Sequence, residues 1–319
     1  MNLFNIVFQS VLSLIGIGVL GFWILKRGII PENVIGILSR LAIDIALPSV
    51  IFAGILLNFD PRKVPDWWQL PLWWLAFTGA ALAFTLITMF LSRKATRGEF
   101  AMSLLFQNGL FFPLILIIGM YGADSPYAAQ LFIFILFHPV LFFTTSHLFF
   151  RKQASESRPP QLNLERIINP ILVATILAVG IRLAGLEVYL PDFLVKMLTM
   201  VGGMTAPLIM IILGGSLYID FQKKGKIHFG EIAKFVLIKN VFFPLVFLGL
   251  LALLRPAYHI ALIVLLQSAV PPITGVPIFV EREGGNRSIA NQFILASFLG
   301  SIFTIPLIFT LFNRFFPMP

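Results

Sequence analysis

The chain has 319 residues, of which 58% are hydrophobic and only 12% charged, with 34 phenylalanines and a mean hydropathy of +0.94. A soluble domain is about 45–50% apolar and about 25% charged, so this composition excludes a water-soluble globule and requires a multi-span membrane protein. The net charge of +9 sits in short loops between apolar runs, so it orients the chain in a bilayer and does not imply nucleic-acid binding; the absence of cysteine excludes disulfides, thiolate metal sites and cysteine nucleophiles.

A span needs about 20 mainly apolar residues. Ten are predicted, at roughly 3–25, 33–57, 70–91, 99–120, 127–150, 166–184, 192–217, 230–253, 258–280 and 288–312. The first is too long for a signal core and runs into Lys26-Arg27 with no small-residue cleavage site, so no cleavable signal is expected. Span two carries Asp44, four residues before Pro48. A charged Asp at a helix centre costs at least ~2.5–3.5 kcal/mol, so it is expected to face the bundle interior, to be protonated or to be paired. Two roles stand for it: a proton carrier, or a cap on backbone freed by Pro48. Span three opens with Trp67-Trp68 and Trp73-Trp74, the pattern of an interface belt.

Span four contains Phe106-Gln107-Asn108-Gly109-Leu110-Phe111-Phe112-Pro113. Lipid cannot satisfy the backbone groups that glycine and proline free, so this is the composition of an interrupted helix. His138 precedes Pro139 in span five; it is either a proton relay or a side chain bonding a carbonyl freed by the proline. The polar stretch 151–165 follows, with Pro159-Pro160. It divides the chain into a first five-span half (1–150), a cytoplasmic linker (151–165) and a second five-span half (166–319).

Span eight holds Lys239-Asn240 in an apolar run. Such a lysine could pair with Asp44, attract an anion or release a proton, with snorkelling to the headgroups as the plain alternative. Span nine holds Leu266-Gln267-Ser268-Ala269-Val270-Pro271-Pro272-Ile273-Thr274-Gly275-Val276-Pro277, a second interrupted helix. The two interrupted stretches occupy equivalent places: Gln107 and Gln267 stand 160 positions apart, and Pro48 and Pro207 stand 159 apart. Five spans per half require the second half to be inverted if the halves share a fold.

A matched pair of broken helices points to a secondary transporter's binding site. The candidate substrate-binding residues are Gln107, Asn108, Gly109, Pro113, Gln267, Ser268, Pro271, Pro272, Thr274 and Gly275. Amide and hydroxyl groups supply hydrogen bonds, the glycines permit close backbone approach, and half-helix ends supply partial charge. Coupling candidates are Asp44, Lys239 and His138. No His/Glu metal spacing is present, so no metal site or resident cofactor is expected, and no nucleophile–base pair suggests an enzyme.

Lys and Arg concentrate after odd-numbered spans (Lys26, Arg27, Arg93, Lys94, Arg97, Arg151, Lys152, Lys223, Lys224, Lys226). The positive-inside rule then puts both termini outside and the linker in the cytoplasm of a multi-pass inner (plasma) membrane protein.

On Ala46-Leu47-Pro48-Ser49, Asn108-Gly109 ahead of Pro113, Thr205-Ala206-Pro207 with Leu213-Gly214-Gly215, Val270-Pro271-Pro272 and Ala296-Ser297 leading to Thr304-Ile305-Pro306, the chain resembles the auxin efflux carrier family. The resemblance covers essentially the whole length. It implies an all-α fold of ten transmembrane helices, as two inverted five-helix repeats with broken crossover helices four and nine, in the architecture of bile-acid/sodium symporters. It further implies a scaffold and a transport domain. The expectation is then alternating-access carriage of a small organic monocarboxylate or dicarboxylate, driven by proton symport (for which Asp44 and Lys239 speak), by Na+ coupling or as a uniport by the membrane potential, with a homodimer formed through the scaffold at spans one, two, six and seven. A cation/proton exchanger of the same architecture and a passive channel are the alternatives; the lack of Asp or Glu in either broken stretch counts against the exchanger.

Overall fold

The computed structural model describes residues 3–122, 125–150, 170–222 and 227–318. The linker at 151–165 lies outside them. Among the described residues the protein is all-helical, with no strand beyond one isolated bridge. Six helices are long and apolar enough to cross a membrane, and shorter apolar helices run at Phe111–Tyr121, Pro170–Ala184 and Tyr258–Ala269.

In chain order α1 is Leu3–Lys26, α2 is Val34–Asn58 and α3 is Gln69–Leu91. The fourth apolar stretch is split into α4 (Arg97–Leu105) and α5 (Phe111–Tyr121), and the fifth into α6 (Pro126–Phe134) and α7 (His138–Thr145). Then come α8 (Pro170–Ala184), α9 (Asp192–Gly203), α10 (Thr205–Gln222) and α11 (Phe229–Leu254). The ninth stretch is split into α12 (Tyr258–Ala269) and α13 (Val276–Arg282), and α14 is Arg287–Phe315, which carries Pro306 within it.

Proline chemistry explains the interruptions, because each proline removes the N–H that would serve the carbonyl four residues earlier. In α2 the helix widens to a π-turn over Leu41–Ala46, and Leu47 N–H reaches back five residues to Ala42 O ahead of Pro48. In α11 the same device spans Leu237–Phe242, with Phe243 N–H bonding Ile238 O ahead of Pro244. Such bulges are a recognised response to a break in the helical ladder. The sequence pattern predicts a continuous span over 127–150; the helix instead breaks at 135–137, because Pro139 cannot serve Ile135 O, which takes His138 N–H at 2.9 Å.

Two packing groups emerge. α1 lies along α10, and α2 along α8 and α9; the other group joins α3, α4, α6, α11, α12 and α14. Helices in lipid associate through close van der Waals contact at small residues. Gly214 of α10 sits directly against Gly18 O of α1, Gly21 of α1 against the Ile211 backbone, and Gly202 of α9 against the Val50 backbone, so a Cβ at any of them would collide with main chain. α1 also touches α5 and α14, and α2 touches α6, which brings the two groups together.

Candidate functional site

The two interrupted stretches meet. Gln107 and Pro272 face each other in an antiparallel bridge. Asn108 N–H donates to Pro271 O at 2.8 Å and Ile273 N–H to Phe106 O at 2.9 Å. In this kind of pairing the directly facing residues exchange no hydrogen bond, so the missing N–H of Pro272 costs nothing there. The backbone carbonyls that the breaks would orphan are thereby partly served across the crossing.

Side chains serve two more. Pro113 has no N–H for Gly109 O, and the Gln267 amide Nε2 donates to that carbonyl at 2.6 Å. Pro272 has no N–H for Ser268 O, and Lys239 Nζ donates to it at 3.3 Å. Gly109 is glycine for a steric reason: a Cβ there would overlap Gln267 Oε1. The equal expectation for Gly275 is not met. A Cβ there meets open space and its φ is −75°, so nothing requires glycine at that position.

Asn108 Oδ1 accepts from Phe111 N–H at 3.3 Å and so caps the start of α5. Its Nδ2, with Gln107 Oε1 and Gln267 Oε1, is buried and has no partner among the described residues. Gln107, Asn108 and Gln267 are each no more than 2% exposed. Leaving a buried polar group unpaired costs about 1–3 kcal/mol, so three together at one crossing demand an explanation. Ser268 Oγ turns back to Leu265 O at 2.7 Å and is spent within its own helix. Pro113, Pro271 and Pro272 are buried; Thr274 and Gly275 are half-buried. An apolar cavity of about 180 Å³ lies among α1, α10 and α14 and reaches Phe112 of α5, with Gly18, Phe22, Leu213, Phe298 and Leu299 among its walls; no residue of 106–110 or 270–275 lines it.

The coupling candidates are dispersed. Lys239 is completely buried on the π-turn of α11, so the snorkelling alternative is overturned. Asp44 does not pair with it. Asp44 is exposed on the flank of α2 between Ile43 and Ile45, so the expectation that it faces the bundle interior is corrected. His138 is buried against Trp74, with ring centroids 6.3 Å apart, and its Nε2 has no hydrogen-bond partner among the described residues, so it does not bond a freed carbonyl through that atom. Trp74 itself is buried and does not belong to an interface belt, unlike the exposed Trp68.

Three polar sets escaped the sequence reading. Asn240 Nδ2 donates to Ser297 O at 2.8 Å and Ser297 Oγ returns to Asn240 Oδ1 at 2.7 Å, tying α11 to α14. Glu231 is 2% exposed and accepts from Ser92 Oγ (2.8 Å), Arg93 N–H (3.2 Å) and Lys234 Nζ (3.1 Å). Glu99 accepts from Asn286 N–H at 2.7 Å. An acidic residue within the first turn of an apolar span, as both glutamates are, is the signal that marks them.

An all-helical membrane fold with two bridged, proline-broken helices and an unsatisfied polar crossing defines the class: a membrane transporter. Residues 6–309 match the family model described as membrane transport protein, and the chain belongs to that family, the auxin efflux carriers. It is a family of membrane transporters and not of enzymes. No curated protein matches the chain.

Proposed function

We propose that the protein is a secondary carrier for a small organic carboxylate anion, bound where the unwound segments 106–110 and 270–275 cross. The observation that carries this reading is the buried donor Asn108 Nδ2, which has no hydrogen-bond partner among the described residues and stands at the bridge. A carboxylate takes the Asn108 donor at the N-terminal end of α5, where the helix dipole also favours negative charge. Neither crossing segment offers a competing carboxylate.

In this reading the chain forms ten spans as two inverted five-helix repeats, split by the cytoplasmic linker 151–165, with both termini outside. The group containing α1, α2, α8, α9 and α10 is the scaffold and the place of homodimer contact. The group carrying the crossing moves against it and exposes the site to either face in turn. The shared surface of the two groups supports that assignment, because α1 meets α5 and α14 there.

The test is counterflow in proteoliposomes loaded with unlabelled carboxylate. A carrier accumulates labelled substrate transiently and saturably, and Asn108→Leu loses this. Non-saturating flux indicates a channel, and cation-for-proton exchange without anion movement indicates an exchanger; either result refutes the proposal.

A further inference from the structure

A buried ammonium group needs a negative partner or dense hydrogen bonding. Lys239 is 0% exposed, yet it forms no ion pair among the described residues. Glu231, two turns earlier on the same helix, is committed to Ser92, Arg93 and Lys234. Asp44 lies exposed on another helix. The Lys239 Nζ has two neighbours of note: Ser268 O at 3.3 Å, and the face of Phe243 with its centroid at 4.4 Å.

Ser268 O belongs to the last turn of α12, whose C-terminus ends in mid-crossing. Pro271 and Pro272 deprive the carbonyls of Gln267 and Ser268 of their helical donors, so the negative end of the helix dipole is left bare at that point. In secondary transporters half-helix C-terminal ends of this kind, with unwound carbonyls, coordinate a dissolved coupling cation. Here the carbonyl is already taken by a positive group of the chain itself. A lysine suits this task, being a compact point charge on a flexible stem, and the desolvated ring of Phe243 adds cation–π attraction.

We propose that Lys239 is the built-in cation of the crossing: its ammonium group stands against the C-terminal end of α12 where a sodium ion would otherwise be held, so that the carrier binds and moves its anion with no dissolved metal cation. This rests on the carrier reading above. Lys239 acts through α12, not by touching the guest, and is a positioning residue. The next residue on the same turn, Asn240, ties that turn to Ser297 of α14.

The experiment has two arms. In the first, wild-type protein is assayed by carboxylate counterflow in sodium chloride and in choline chloride of equal ionic strength, and its thermal unfolding in detergent is followed in the same salts. Equal flux and equal Tm are expected. A loss of flux in choline, or a rise of Tm specific to sodium, overturns the proposal whether or not any variant folds. In the second arm, Lys239→Met keeps the stem and removes the charge, while Lys239→Arg keeps the charge. Removing a charge from a buried helix terminus predicts that the Met variant loses flux about tenfold or more, with the Arg variant closer to wild type. Both variants matching wild type, or both falling alike while remaining monodisperse, overturns it. If wild-type protein shows no anion counterflow in any salt, the carrier reading fails instead, and the Tm comparison alone decides whether sodium has a site.

Discussion

Gly109→Ala is the sharpest perturbation of the crossing. The added methyl group would occupy the place of the Gln267 amide, whose Oε1 lies inside contact distance of a Cβ built there. The amide must move, and its 2.6 Å bond to Gly109 O is lost. Pro113 cannot supply a substitute donor, so a buried carbonyl is left bare at a cost of about 1–3 kcal/mol. Overpacking of a dense site adds about 1–3 kcal/mol. Thermal unfolding in detergent and carboxylate counterflow measure the two consequences, lower Tm and lost transport. A double-mutant cycle isolates the cause. Gln267→Ala removes the clash but leaves the same carbonyl bare, so Gly109→Ala in the Gln267→Ala background is expected to add less than about 0.5 kcal/mol. Additive losses, or a Gly109→Ala protein as stable as wild type, would refute this account of the glycine.

Other outcomes follow from the same geometry. Gly275→Ala, which points into open space, is expected to change stability by less than about 0.5 kcal/mol, read by Tm. Ser297→Ala strips the partner from Asn240 Oδ1 and is expected to destabilise by about 1–3 kcal/mol, with Asn240→Leu and Ser297→Ala non-additive when combined. Glu231→Gln keeps the shape but weakens the bonds from Ser92 and Arg93 N–H; a loss of about 1–2 kcal/mol is expected, since the Arg93 and Lys234 side chains are largely exposed and their ion pairs are screened. Asp44→Asn, on the flank of α2 away from the crossing, is expected to leave carboxylate affinity within about twofold of wild type in a thermal-shift titration.

Much of this arrangement was legible in the residues. Gln-Asn-Gly before Pro113 and Gln-Ser before Pro271-Pro272 announced two breaks, because proline's missing N–H is a property of the residue itself and needs no tertiary context. The meeting of the two breaks was expected from the 160-position offset of Gln107 and Gln267, and the bridge between Gln107 and Pro272 brings the two breaks together. The partners were not legible. That Gln267 would serve Gly109 O and Lys239 would serve Ser268 O depends on how α11, α12 and α5 are stacked, and hydropathy carries no information on which face of a uniformly apolar helix turns inward. The same blindness misplaced Asp44, which is exposed on α2, and Trp74, which looked like its exposed neighbour Trp68. Gly275 resembled Gly109 by position alone; only the space around each separates them.

The central claim is that an anion is bound by the unpartnered amide at the crossing. Asn108→Asp tests it with one atom's change of chemistry: the carboxylate still caps Phe111 N–H, so α5 keeps its start, but the donor at Nδ2 is gone and a negative charge replaces it. Thermal-shift titration of wild type and Asn108→Asp against a panel of small carboxylates is the measurement. Stabilisation of wild type by at least one carboxylate, abolished in a variant that remains folded and monodisperse, is the result predicted here. A variant that binds the same carboxylate as tightly as wild type would contradict it.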